Sequence, residues 1–172
     1  ISSVAAQIGL LVQRKKTEHR LAIQYSVVKV LAEAATLKEA TPKIIEAICE
    51  TTKWDMGAIW FIDRKANLLR CADCWHLPTV DVSEFEAITR EITFVSGVGL
   101  PGRVWASGKP EWSIDVTLDA NFPRAPYAVK AGLHGAFGFP IMFEDGVLGI
   151  IEFFSREIRQ VDEELLDMFA SI

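Results

Sequence analysis

Long apolar runs are missing from this chain. No stretch of 18 apolar residues occurs among its 172 residues, so the sequence offers no membrane-spanning helix and no membrane insertion is expected. A basic surplus is missing too. The formal net charge is −5, the wrong sign for gripping phosphates, so no nucleic-acid partner is expected. Cysteine is scarce: Cys49, Cys71 and Cys74 make an odd count without a framework spacing, which fits a reducing compartment. Ile1 to Val12 carry no basic leader and no small-residue cleavage site, so a signal peptide is not expected and the chain reads as cytoplasmic. The first residue is not Met, and a preceding segment is expected. The histidines are His19, His76 and His134, and no nucleophile-elbow motif accompanies them. The expectation is a chain that is not an enzyme.

What is present is an ordinary globular composition, 50% hydrophobic and 24% charged. The length suffices for one core and an appendage. Residues 1–36 read as a helical connector. Ile8, Leu11 and Val12, then Leu21, Ala22, Tyr25, Val28, Leu31 and Ala32 recur at helical spacing over residues 3–36, with no proline between them. Gln13 to Arg20 is polar all round and reads as a solvated face. So long a helix cannot bury its apolar side on one small domain, so part of it is expected to pack on another copy or another domain.

The remainder, 37–172, reads as one domain. A helix is predicted from near Lys38 to near Lys53, with Thr41 as a candidate N-cap and Pro42 at the first helical position. The period then changes to that of strands, at 58–63 and 68–75, joined by a turn. A short helix is expected over 83–91, a short strand over 93–95, a helix over 101–107, an edge segment over 111–114 and a short helix near 127–131. Gly135–Phe143 and Val147–Ser155 flank Glu144-Asp145-Gly146, a strong hairpin signal. Asp162 to Ile172 closes the chain as a helix with Leu165, Leu166 and Phe169 inward. The fold class is therefore α/β (α+β): a central antiparallel sheet of 5–6 strands with helices on one face.

Gly97-Val98-Gly99-Leu100-Pro101-Gly102 has the G-x-G-x-x-G spacing of a dinucleotide loop. Its context does not: a short strand precedes it, a proline sits inside it, and the following helix is barely two turns. A tight turn into a helix is the plainer reading. Cys71-Ala72-Asp73-Cys74-Trp75-His76 has a spacing open to metal or redox chemistry. No second pair completes a tetrahedral set, and on a regular strand Cys71 and Cys74 point to opposite faces, which disfavours joint ligation.

Four stretches together resemble the GAF domain of bacterial signalling proteins: Gly97 to Pro110, Asn121-Phe122-Pro123-Arg124, Gly132 to Ile141, and Gly146 to Ser155. They follow the family's order, and the resemblance spans roughly 38–172. It implies a sensory domain that binds a small ligand and relays a signal through its terminal helices to an output domain such as a histidine kinase or a diguanylate cyclase. Ala6-Gln7-Ile8-Gly9-Leu10-Leu11-Val12-Gln13-Arg14-Lys15 resembles the connector between tandem GAF modules, which implies a multi-domain parent. The resemblance also implies a homodimer through helices 3–36 and 162–172, and a pocket between the sheet and the 112–134 loops. Its candidate lining is Trp112, Asp115, Phe122, Tyr127 and His134. His134 is also a candidate for haem iron. Covalent bilin is not expected, because the position that carries the cysteine in phytochrome-like members falls near Pro123-Arg124. Phe122 matches part of the cyclic-nucleotide motif, whose Asn-Lys pair has no counterpart here. The alternatives left open are a ligand-free dimerisation module and a haem or redox sensor.

Overall fold

The computed structural model describes Val4 and residues 37–170. Apart from Val4, the connector expected over 1–36 therefore lies outside the described residues, and so do its dimer contacts. Helix α1 (Leu37–Thr52) buries Ala40, Ile44, Ile45, Ile48 and Cys49 at helical spacing. Thr41 is not its N-cap and Pro42 lies inside it. The reason is packing: Ala40 and Thr41 are already buried, so the turn before the proline is held helical by the core. Strands β1 (Met56–Asp63) and β2 (Leu68–His76) form the opening meander. Helix α2 (Ser83–Glu91), strand β3 (Thr93–Phe94), helix α3 (Gly99–Ser107) and strand β4 (Glu111–Ser113) follow. A short 3-10 turn (Val116–Leu118) leads to helix α4 (Ala125–Ala131), the hairpin β5 (Ala136–Phe143) and β6 (Gly146–Phe154), and helix α5 (Glu163–Phe169). Asp162 caps α5 by accepting from the Leu165 N–H at 3.0 Å, with Glu163 and Glu164 in the first turn.

The six strands lie in the order β3-β2-β1-β6-β5-β4, antiparallel throughout. The first and last strands are thus neighbours at the centre. Helices cover both faces rather than the expected one. On one face α1 and α5 share a core with Ile59, Phe137, Phe139, Ile151 and Phe153. On the other, residues from α2, α3 and α4 pack on Met56, Ala58, Trp60, Ile150 and Phe154. The central strands are buried without a break, Met56–Trp60 on β1 and Gly149–Phe154 on β6, so neither face is left for solvent.

Candidate functional site

The glycine motif forms the predicted turn. Gly97 and Gly99 take φ of +87° and +69°, and the Gly97 N–H donates to the Gly102 carbonyl at 2.8 Å as α3 begins. Asn121 clasps this turn from 22 residues away: its Oδ1 accepts from the Gly99 N–H and its Nδ2 donates to the Gly97 carbonyl, both at 2.8 Å. Arg103 on α3 ties down the same segment, donating to Asp119, Glu111 and the Asn121 carbonyl. Two motifs far apart in sequence are thereby locked together, and Phe122 and Arg124 follow directly.

Arg124 leads into α4 and turns its side chain inward, where it is fully buried. Its guanidinium makes a two-pronged ion pair with the equally buried Glu152 of β6, at 2.8 and 2.9 Å. Nη1 also donates to the Thr89 hydroxyl at 3.1 Å, and the Trp60 indole N–H donates to Glu152 at 2.9 Å. Five rings enclose the cation: Trp60, Phe85, Phe94, Phe122 and Phe154 have centroids 5.0–5.4 Å from its central carbon. An aromatic cage backed by a carboxylate recognises an organic cation, and here the chain supplies that cation itself. Neither Arg124 nor Glu152 was singled out from the sequence. The signal was available: Glu152 is a lone charge within Ile150-Ile151-Glu152-Phe153-Phe154, and such a charge needs a buried partner.

The five predicted lining residues do not converge on one cavity. Phe122 walls the cage. Asp115 and His134 come together, with Nδ1 of His134 3.1 Å from Oδ1 of Asp115. That same oxygen accepts from the Thr117 N–H and hydroxyl, at 3.0 and 2.6 Å. Burial raises the Asp115 carboxyl, but the hydrogen bonds from Thr117 and His134 outweigh it and leave the group below its ordinary range. The backbone of His134 joins Val116 to Ser155, as a turn residue does. Trp112 lies on the opposite face, edge-on to Trp54 at 5.5 Å, with its indole N–H donating to the Arg159 carbonyl. There it lines a cavity of about 220 Å³ with Thr52, Trp54 and Asp162. Tyr127 is 37% exposed, on a shallow depression beside Glu84 and Glu91.

Cys71 and Cys74 overturn the expectation of opposite faces. Ile59 pairs with Asp73 but Trp60 pairs with Cys71, so β2 bulges by one residue at Ala72. The extra residue reverses the alternation. Both cysteines then face the same core, with their sulfurs 3.5 Å apart. No group of three or more His, Cys, Asp or Glu able to hold a metal ion occurs among the described residues.

Similar folds occur in solved structures. The GAF domain of a phosphoenolpyruvate-protein phosphotransferase (ptsP) from Coxiella burnetii is 19% identical with a TM-score of 0.70, over 90% of this chain and 89% of that one. Free methionine-R-sulfoxide reductase from Neisseria meningitidis, in complex with its substrate, is 15% identical with a TM-score of 0.69, over 91% and 86%. The nlh2 GAF domain from A. aeolicus in an inactive state is 19% identical with a TM-score of 0.63, over 88% and 86%. These likenesses concern the fold. The sequence model of the GAF domain family matches residues 34–172, most of the chain, and the chain belongs to that family.

Proposed function

We propose that this GAF domain is a regulatory module that converts the state of the Asn121–Arg124 segment on one sheet face into the packing of its terminal helices on the other. One observation carries the reading. On β6, Glu152 and Phe154 wall the arginine cage, while Ile151 and Phe153 belong to the core shared by α1 and α5. Neighbouring residues on a strand point to opposite faces, so a shift of β6 reaches both sides. A ligand on the cage side has to bind the two arrangements unequally to act as a switch. In the present arrangement Arg124 fills the cage, so a small molecule enters only as the Phe122–Arg124 segment withdraws. The parent is a multi-domain signalling protein with an output domain such as a histidine kinase, dimeric through helices 3–36 and 162–172.

The module itself is not an enzyme. Asp115 and His134 form a carboxylate–imidazole pair, but the neighbouring hydroxyl of Thr117 bonds the carboxylate and not the imidazole. A nucleophile–base–orienter chain is not assembled there. The filled cage also favours a second reading, a ligand-free dimerisation module. An absorption spectrum and native mass spectrum of the purified protein separate the two, and a Soret band would install the haem alternative. A dimer carrying a small-molecule adduct, or one stabilised in a thermal-shift screen, supports the sensor. An apo dimer stabilised by nothing in the screen sinks the sensor in favour of the spacer, and a monomer sinks the dimeric arrangement of both.

A further inference from the structure

We propose that Cys71 and Cys74 are a reversible dithiol–disulfide site, oxidised by a peroxide and wired to the arginine cage. The bulge at Ala72 places both residues on one face of β2, and their sulfurs already lie 3.5 Å apart. A disulfide needs about 2.05 Å between the sulfurs, so closure draws them together by about 1.5 Å. The two thiols differ in access. Cys71 is half-buried, whereas Cys74 is 7% exposed. The hydrogen bond with Cys71, together with burial, holds the Cys74 thiol in its protonated form. That asymmetry assigns the order. The Cys71 sulfur attacks the peroxide O–O bond, giving a sulfenic acid and releasing the alcohol or water. The Cys74 sulfur then attacks the Cys71 sulfur, forming the S–S bond as the hydroxyl leaves as water. In total, two thiols and one peroxide give one disulfide, one alcohol or water, and one water. Cys71 pairs across the ladder with Trp60, whose indole walls the cage and bonds Glu152, so closure pulls on the residue that holds the ion pair. Cys49 is the internal control. It is buried in α1 and its thiol is pushed far up, first by that burial.

The test treats the reduced chain with a few equivalents of hydrogen peroxide, alkylates the remaining thiols and measures intact mass and peptide map. Expected are a fall from three free thiols to one, a Cys71–Cys74 crosslinked peptide, and full reversal by dithiothreitol. In Cys74→Ser, a sulfenic acid trapped by dimedone is expected on Cys71, and Cys49→Ser should leave the crosslink intact. Three thiols surviving the treatment would overturn the proposal. So would stepwise gain of oxygen without the crosslink, a disulfide joining two chains, or a crosslink through Cys49.

Discussion

A buried ion pair is a costly thing for a small domain to keep, because two charges leave water to make it. Arg124 and Glu152 are both fully buried, and apart from the Trp60 indole N–H bonded to Glu152 the rings around them offer little beyond the quadrupole attraction of their faces. Removing one partner strands the other. Glu152→Ala is therefore expected to lose about 3–5 kcal/mol, read as a lower urea midpoint at unchanged slope. The double variant Arg124→Met with Glu152→Leu should recover most of that loss. A single variant costing under about 1 kcal/mol would show that water reaches the cage. Asp115 belongs to the same scale. Its carboxyl sits below the ordinary range in the folded chain, so it stabilises above that range, near pH 3.9, and the contribution fades as pH falls through the folded value. The melting gap between the wild type and Asp115→Asn should be present above the ordinary carboxylate value and narrow as the pH falls below it. A gap that stays constant across that range would contradict the assignment.

Among the elements, the centre of the sheet is the least forgiving. Gly149 of β6 pairs with Phe61, and a Cβ there would stand 2.3 Å from the Trp60 carbonyl oxygen, which is backbone and cannot move aside. Gly149→Ala should cost about 1–3 kcal/mol by equilibrium denaturation. Gly146, in the same strand, has nothing within 4 Å of that position, and Gly146→Ala should stay within about 0.5 kcal/mol. Equal effects at the two positions would mean that β1 and β6 are not so closely paired. The elements themselves were largely legible. The helix over 83–91 and the β5–β6 hairpin emerged where periodicity and turn residues placed them, because both signals are local. The start of α1 near Lys38 was legible too, but the N-cap assigned to Thr41 was not correct, since Pro42 mimics a first helical position while tertiary burial of Ala40 and Thr41 holds the preceding turn helical. The bulge at Ala72 left no mark either. It is a property of how β2 meets β1, not of β2 alone, and it puts Cys71 and Cys74 on one face where regular alternation would separate them. The predicted pocket failed to converge for the same kind of reason. Trp112 and Phe122 are ten residues apart but lie on opposite faces of the sheet, a separation that only the path of the chain determines.

On the scale of the whole molecule, the sheet is a partition with a different occupant on each side. Phe169 of α5 stacks on Phe139 at 4.2 Å, and α1 shares that core through Ile45 and Ile48. If the partition transmits, Arg124→Lys should raise amide exchange in α1 and α5 several-fold as well as beside the cage. A change confined to α2, α4 and β6 would reduce the domain to a scaffold. The strand order has a consequence for how the protein is made. The middle of the sheet is β1 beside β6, so the last of its six strands to be translated completes the centre and not an edge. A nascent chain that has reached Asp145 holds β3-β2-β1 and β5-β4 as two unjoined halves, with Arg124 still lacking its carboxylate. Folding on the ribosome is then all-or-none in chain length. Until Phe154 clears the exit tunnel, two apolar strand edges wait open, and that interval is when chaperone capture or aggregation takes its toll.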